Sequence, residues 1–238
     1  MQPEIPSGLL VIDKAQGMTS HDVVSIARGA LKIKKIGHCG TLDPMATGVL
    51  MLLINKATKL QDKLMVEDKV YEGSLKLGIT TDSQDADGDP VEEKEVPELT
   101  ELDIKNAFEK YKGDFEQMPP MVSAIKKDGV RLYKLARQGK VVERDPRAVK
   151  VTDYQINHIV LPSVDFTVYC SKGFYVRTYA NDIGEYLGCG AHLTALRRVN
   201  SGKFDLSNSI PAMNLKTMGR EAILEKLISL EEIAEFIK

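Results

Sequence analysis

The sequence predicts a mixed α/β or α+β domain built on a mostly antiparallel sheet flanked by helices and loops. Strand-like and helix-like patterns alternate along the 238 residues without a strict βαβ rhythm, and two strand-like runs follow one another directly after residue 147. The longest apolar run has six residues, Val49 to Ile54, far fewer than a membrane span needs. The hydrophobic fraction of 43% is ordinary for a globular chain that can bury a core.

The first third of the chain alternates between strands, a helix and a loop. Residues 8–14 form an apolar run typical of a buried strand, and Thr19 or Ser20 can cap a helix whose apolar residues recur at helical spacing. Residues 35–48 contain Gly and Pro at intervals, which predicts a loop, and residues 49–54 predict a short strand. Residues 69–78 alternate, which places Tyr71 on one face of a strand with its apolar neighbours.

The rest of the chain mixes both element types, and no internal repeat interrupts it. We expect a loop in the acidic stretch up to about residue 97 and a helix that ends at Gly113. The later expectations are a strand at 121–125, a basic helix at 129–140, strands at 147–161 and 164–171, a helix at 175–188, a strand at 195–204, and one or two short helices in the last twenty residues.

Charge is distributed unevenly along the chain although the net charge is only -2. Residues 125–150 carry nine basic and three acidic residues, a local charge of +6, whereas residues 82–103 carry ten acidic residues and one Lys, a local charge of -9. Both stretches could simply be solvated surfaces. The alternative is a basic patch that binds phosphates, separate from an acidic loop.

Several common classes of protein are disfavoured. The three cysteines form no CxxC pair and the N-terminus has no signal-peptide pattern, so we expect a reduced, cytoplasmic protein. A zinc site is disfavoured by the poor ligand spacing of His38, Cys39, Cys189 and His192. A calcium loop starting at Ser83 has Lys94 where the bidentate Glu belongs, and no P-loop or dinucleotide fingerprint is present. We therefore expect no metal and no cofactor.

Asp43 is the main catalytic candidate because it precedes a Pro within the turn GHCGTLDPMATG. Such an Asp can be only a turn former, since its carboxylate bonds nearby amides. No second carboxylate lies beside it in the sequence, so paired-carboxylate glycosidase chemistry gains no local support. A lone carboxylate would act as a nucleophile or a base, and it would need a cation nearby to stay ionised.

Arg177 is the candidate cation. It lies near a predicted helix start, where its charge opposes the helix dipole and suggests a partner anion. The segment KGFYVRTY around it concentrates aromatic residues in a chain that is only 6% aromatic. Those rings could pack in the core or stack on an exposed base.

Five segments, in this order, resemble motifs of the tRNA pseudouridine synthase B (TruB) family, over about residues 8–204. They are GLLVIDKAQGMTSHDVV, GHCGTLDPMATGVL, DKVYEGSLKLGITTDSQDADGD, QMPPMVSAIKKDGVRLYKLAR and CSKGFYVRTYANDIGEYLGCGAHLTALRRV. The second resembles the catalytic motif and is the most specific. Ala15 stands where the family usually has Pro.

The resemblance implies the pseudouridine synthase fold and a set of seven site residues. Asp43 would be the nucleophile, Tyr71 would stack on the target uracil, and Arg177 would pair with Asp43. Four more residues match positions that displace the base, line its pocket or brace the catalytic loop: His38, Tyr175, Leu196 and Lys14. Whether the carboxylate would attack the sugar C1′ or the base C6, or remove a proton at C2′, stays open.

The resemblance also implies a reaction, a partner and a domain plan. The protein would isomerise uridine 55 in the T loop of tRNA as a cofactor-free monomer that binds the T arm and no membrane. Residues 1–238 would form one catalytic domain, with an RNA-gripping insertion at 117–151, a short helical tail at 205–238 and no C-terminal PUA domain. Alternatives are an RNA-binding chaperone that folds tRNA and, more weakly, an Asp-dependent glycosidase or lyase acting on a small nucleoside.

Overall fold

The computed structural model describes residues 6–123, 126–127, 129–132 and 142–237, so part of the basic stretch and most of the predicted helix at 129–140 lie outside the described residues. The chain forms two compact units, the first from Met1–Val70 with Arg197–Lys238 and the second from Tyr71–Leu196. The strands that begin at Lys69 and Ala191 cross the boundaries between the units.

The described strands, in chain order, are β1 (Gly8–Lys14), β2 (Ile36–Cys39), β3 (Thr47–Ile54), β4 (Lys69–Leu77), β5 (Ile79–Thr81), β6 (Pro90–Glu93), β7 (Gly113–Gln117), β8 (Lys126–Lys127), β9 (Val130–Arg131), β10 (Arg147–Val160), β11 (Ser163–Cys170), β12 (Ala191–Ser201), β13 (Phe204–Asp205), β14 (Ile210–Pro211) and β15 (Ile228–Ser229). The described helices are α1 (Ser20–Leu31), α2 (Gln61–Met65), α3 (Glu101–Lys110), α4 (Val176–Tyr186), α5 (Arg220–Leu224) and α6 (Leu230–Phe236), with 3-10 helices at Asn55–Leu60 and Ala212–Lys216. Among the described helices, none has the length and apolar content needed to cross a membrane.

In the first unit, β3 is the central strand. It pairs antiparallel with β1 and β2, and its first residues pair in parallel with Arg197 and Arg198 of β12. Seven of its eight residues are buried, which explains why the sequence there is a continuous apolar run rather than an alternating one. One side of these strands contributes to an apolar core with α2 and α6. This packing fixes both strands that lead into and out of the Asp43 turn.

Helix α1 begins and ends where its sequence indicates. Thr19 is the N-cap, and with Asp22 it forms a capping box that satisfies free backbone N–H groups of the first turn. The residues at helical spacing, from Val23 to Leu31, face the core. The helix ends at Lys32, which adopts a left-handed conformation with φ 56°.

In the second unit, β4, β11, β10 and β7 lie side by side in that order, and the pairs β7–β10 and β10–β11 are antiparallel. Alternate residues of β4 from Tyr71 to Leu77 are buried, as the sequence predicts. Helix α4 buries its first turn and one face from Val176 to Gly184. With the pairings of the first unit, these strands confirm the predicted mixed, mostly antiparallel architecture flanked by helices.

Five local predictions were wrong. Residues 36–39 form strand β2 rather than loop, and β5 and β6 pair within the stretch expected to be loop. The helix at 101 ends at Lys110, and Gly113, expected to end it, begins β7. Residues 121–123 are bends rather than strand, and Val130–Arg131 pair as β9 within the predicted basic helix. Each strand that the sequence missed is at most five residues long, too short for an alternating pattern to be recognised.

Tyr179 of α4 is the centre of an aromatic cluster in the second unit. Its ring lies 5.3–6.1 Å from the rings of four neighbours, namely Phe108, Phe166, Phe174 and Tyr111. The side chain is fully buried, and its hydroxyl has no hydrogen-bond partner among the described residues. Burial accordingly raises the pKa of this phenol.

We expect Tyr179→Phe to leave the free energy of unfolding unchanged or to raise it by up to about 1 kcal/mol, because it removes a buried polar group that lacks a partner. Tyr111→Phe is the matched control, since the Tyr111 hydroxyl donates a hydrogen bond to the carbonyl of Asp182 at 3.1 Å. The control should lose about 1 kcal/mol in urea denaturation. A larger loss for Tyr179→Phe than for Tyr111→Phe would show that the Tyr179 hydroxyl has a partner.

Candidate active site

Asp43 begins a tight turn between β2 and β3. The N–H of Ala46 donates to the carbonyl of Asp43 at 3.1 Å, and Pro44 occupies the second position, where its fixed φ is favoured. Gly48 follows with φ 97°, and a Cβ there would lie 2.2 Å from the carbonyl oxygen of Arg198. Only glycine fits this close approach, so the backbone after the turn is strictly defined. Asp43 itself is half-buried.

Two buried side chains hold the turn from the β1–α1 side. The N–H of Leu42 donates to Ser20 Oγ at 2.9 Å, and the same hydroxyl donates to the carbonyl of Leu42 at 3.1 Å. Lys14 is 0% exposed, and its Nζ donates to the carbonyl of Pro44 at 3.2 Å and to that of Met18 at 2.6 Å. The residues on both sides of Asp43 are therefore fixed by contacts that its own side chain does not make.

Arg198 ties the two ends of the turn together. It is 2% exposed, yet its Nε donates to the carbonyl of Val49 at 2.8 Å and its Nη2 donates to the carbonyl of Gly40 at 2.8 Å. No described carboxylate forms an ion pair with this guanidinium. Burying a cation whose described partners are carbonyl groups costs desolvation free energy. This cost indicates that holding the carbonyls of Val49 and Gly40 in place is important for the turn. The sequence analysis did not single out Arg198.

We expect Ser20→Ala to lower the free energy of unfolding by about 2 kcal/mol, because the buried N–H and C=O of Leu42 both lose their partner. The catalytic rate constant kcat should fall about tenfold, since the Asp43 carboxylate is then held less tightly. Ser25→Ala in the same helix is the control, because its exposed hydroxyl bonds only the carbonyl of His21. Urea denaturation and steady-state kinetics measure both effects, and equal behaviour of the two variants would contradict this role of Ser20.

In the second unit, Arg177 lies in the first turn of α4 and is 3% exposed. Its Nη1 donates to the carbonyl of Ser83 at 2.9 Å and its Nη2 donates to the carbonyl of Val122 at 2.7 Å. Its Nε lies 3.5 Å from Oδ2 of Asp85, which is itself 4% exposed. Asp85 is thus a counter-ion of Arg177. The acidic stretch 82–103 is therefore buried at this point and not a solvated loop.

Asp85 is held in turn by its neighbours. Its Oδ1 accepts hydrogen bonds from the hydroxyl of Ser83 and from the N–H of Asp87. The residue also forms a β-bridge to Leu193 of β12, where the N–H of Ala86 donates to the carbonyl of Leu193 at 2.9 Å. The Arg177 guanidinium is therefore held by Ser83 and Asp85 of this loop and by Val122.

Tyr175 is pinned just before α4 by Gln117, the buried last residue of β7. The Gln117 amide donates to the carbonyl of Tyr175 at 3.0 Å and accepts from its N–H at 2.8 Å. Tyr71 and Leu196 are both buried, on β4 and β12, which are neighbouring strands. His38 is half-buried on β2, opposite Leu52 of β3.

The predicted site residues fall into two groups. Asp43, His38 and Lys14 belong to the first unit, where Lys14 contacts the Asp43 turn directly. Tyr71, Tyr175, Arg177 and Leu196 belong to the second unit. The pairing of Arg177 with Asp43 and the catalytic roles of all seven residues stay predictions.

The cysteine thiols are poorly suited to bind metal. Burial raises the pKa of Cys39 to about 11 and also raises that of Cys189, so both thiols stay protonated at neutral pH. Within the described parts of the chain, no three His, Cys, Asp or Glu side chains are grouped as metal ligands would be.

Solved structures with a similar fold include chains of two Cbf5 complexes. A chain of a Cbf5–Nop10–Gar1 complex matches with a TM-score of 0.70 and 30% identity, over 90% of this chain and 54% of that one. A chain of the archaeal box H/ACA sRNP Nop10–Cbf5 complex matches with a TM-score of 0.72 and 25% identity, over 98% of this chain and 62% of that one. This chain therefore spans a little over half the length of the matched chains.

Family models and curated relatives define the class as that of the pseudouridylate synthases, which are isomerases. Residues 28–176 match the model described as "TruB family pseudouridylate synthase (N terminal domain)", and residues 177–234 match "tRNA pseudouridylate synthase B C-terminal domain". The chain belongs to the TruB family, and the predicted pseudouridine synthase fold is confirmed.

Curated relatives agree with this assignment. The tRNA pseudouridine synthase B of Opitutus terrae is 48% identical over 97% of this chain and 95% of its own length. The proteins of that name from Syntrophotalea carbinolica and Geobacter sulfurreducens are each 47% identical, over 95% and 93% of this chain and 74% and 73% of their own lengths.

Proposed function

We propose that this protein isomerises uridine 55 in the T loop of tRNA to pseudouridine, with Asp43 as the reacting carboxylate. In this reaction the bond between C1′ and N1 breaks, the uracil turns, and a bond between C1′ and C5 forms. The hydrogen on C5 leaves as a proton and N1 gains one, so no electrons are transferred and no group is lost. A single carboxylate can serve as the nucleophile or base for such a step without a cofactor.

The observation that carries this proposal is the way the Asp43 turn is held. Ser20, Lys14 and Arg198 all bond to backbone groups within or beside the turn. A turn formed only for structural reasons would not need three buried polar side chains to fix it. A catalytic carboxylate does need such support, because a displacement of about 1 Å can cost about a hundredfold in rate.

The other residues have roles in reaching and holding the base. Tyr71 would stack on the extruded uracil and offset part of the few kcal/mol that unstacking costs. Arg177 would keep Asp43 ionised, and Asp85 with the two carbonyl groups would orient the guanidinium for that purpose. His38, Tyr175 and Leu196 would displace the base and line its pocket.

The substrate we propose is a folded tRNA rather than a free nucleoside. The relatives in the family carry tRNA in their names, and residues 125–150 supply a basic segment, part of which lies outside the described residues. Recognition of a folded T arm by its shape and phosphates explains how a chain with a net charge of -2 can bind RNA. We propose that the protein acts as a monomer in the cytoplasm.

Release of tritium tests the reaction, because the hydrogen on C5 is lost. The wild-type protein should release one tritium per tRNA from a transcript labelled at C5 of uridine, and none when position 55 is a cytidine. Free tritiated uridine should not react. Release from free uridine, or equal release from both transcripts, would contradict the proposed substrate and site.

A chaperone that folds tRNA remains the second candidate, because a basic segment would serve RNA binding without chemistry. A deletion strain supplied with Asp43→Asn separates the two functions. Full rescue of growth and tRNA levels by a variant that forms no pseudouridine would favour the chaperone.

A further inference from the structure

We propose that exposed cations around the end of α1 form a second phosphate-binding surface for the substrate RNA. This α1 basic surface consists of Arg28, Lys32, Lys34, Lys35, Lys56 and Lys59. The inference rests on the proposed function, since it names a further part of the same RNA-binding site. It concerns a segment of the chain remote in sequence from residues 125–150.

The charge pattern of this region differs from that of the rest of the chain. Between Asp22 and Asp62 there are six Lys and Arg residues and one acidic residue, a local charge of +5 in a chain of net charge -2. That one acidic residue is Asp43. All six cations are exposed, so the charge faces solvent around the strand that leads to the reacting carboxylate.

The backbone gathers these cations in the first unit. Arg28 folds back from the last turn of α1, and its Nη2 donates to the carbonyl of Ile36 at 2.7 Å. Lys32 turns the chain in a left-handed conformation, and Arg28, Lys32, Ile33 and Lys34 line one hollow of about 460 Å³. A hollow of that size with three cations on its wall suits a phosphate group, which accepts several charge-assisted hydrogen bonds.

The surface also includes cations at the end of the β2–β3 pair that lies opposite the Asp43 turn. The N–H of Asn55 donates to the carbonyl of Lys35 at 2.9 Å, so the 3-10 helix with Lys56 and Lys59 starts beside Lys35. Asp43 lies eight positions after Lys35, a chain distance of at most about 28 Å. RNA phosphates bound here would therefore belong to nucleotides near the reacting uridine.

Two simpler explanations account for only part of this pattern. The negative end of the α1 dipole favours nearby cations, which explains Arg28 and Lys32 but not the other four. Ordinary solvated lysines often pair with carboxylates, as Lys94, Lys112 and Lys150 do in the second unit. None of the six cations forms an ion pair with a carboxylate in the described parts of the chain. An excess of unneutralised cations is the pattern expected of a phosphate-binding surface.

The salt dependence of RNA binding tests this surface. Unmodified tRNA transcript is titrated with the full-length chain at several salt concentrations, and log K is plotted against log salt. In Lys34→Gln/Lys35→Gln, the slope should fall in magnitude by about two, because two phosphate contacts are lost. The KM for tritium release should rise about tenfold at 0.1 M salt.

Lys203→Gln/Lys226→Gln is the matched control, because it removes two exposed lysines of the same unit outside the α1 basic surface. The control should keep the wild-type slope and KM. Equal slopes for the two double variants would overturn the inference, provided that wild-type protein releases tritium from tRNA. Absence of release by the wild type would instead overturn the proposed function. Thermal unfolding midpoints should match in all three proteins, and Lys34→Glu/Lys35→Glu should weaken binding further.

Discussion

Replacing Asp43 with Asn is expected to lower kcat for tritium release from tRNA by roughly 10⁴-fold or more, with little change in RNA affinity. The Asn amide has the size of the carboxylate but carries no negative charge and is a poor nucleophile and base. The turn itself should survive, because Ser20, Lys14 and Arg198 hold its backbone. Single-turnover kinetics with enzyme in excess measure the chemical step directly.

Asp62→Asn is the control for this variant, since Asp62 is an exposed carboxylate on α2 in the same unit. It should retain the wild-type kcat and affinity. If Asp43→Asn bound tRNA normally and retained more than about a tenth of the wild-type rate, Asp43 would not be the reacting group. Loss of RNA binding together with activity would point instead to a structural role for the turn.

Replacing Asp85 with Asn should have the second-largest effect, on both stability and rate. The change leaves the buried guanidinium of Arg177 without this carboxylate, and breaking a buried ion pair on one side costs about 3 kcal/mol. Arg177 would keep the carbonyl oxygens of Ser83 and Val122 but would lose the group that sets the direction of its Nε. We expect kcat to fall roughly a hundredfold while KM changes little, because Arg177 is then misdirected.

Asp87→Asn is the matched control, because Asp87 is exposed two residues further along the same loop. Its free energy of unfolding should change by less than about 0.5 kcal/mol. Asp85→Glu should restore part of the stability, since the charge returns on a longer side chain. An Asp85→Asn variant as stable and as active as Asp87→Asn would show that the Asp85–Arg177 pair is not needed.

The long elements could be predicted because their periodicity is local. The buried run of β3, the alternation of β4 and the capping box of α1 are properties of consecutive residues, and the structure has each of them near the expected place. Strand β2 could not be found in this way. Its four residues IGHC have no strand pattern, and they are extended because β3 offers a partner for their backbone groups.

The residues that support the site, Asp85 and Arg198, could not be predicted from the sequence either, because tertiary contacts define their roles. Asp85 is one of ten acidic residues in its stretch, and only tertiary contacts make it the one that meets Arg177. Arg198 gave a weak signal, since the alternation of β12 places it on the same buried face as Leu196. Asp43 and Arg177 were candidates from the turn and from the helix start, whereas the role of Tyr71 came only from the family resemblance.

Mapping of the product on tRNA tests the proposed reaction most directly. Unmodified tRNA transcript is incubated with the purified protein, digested, and examined nucleotide by nucleotide for pseudouridine and for free uracil. We expect one pseudouridine per tRNA, at position 55, and no uracil in solution, with no product from Asp43→Asn. Pseudouridine at another position, or uracil released from the RNA, would contradict the assignment of this protein as an isomerase of that uridine.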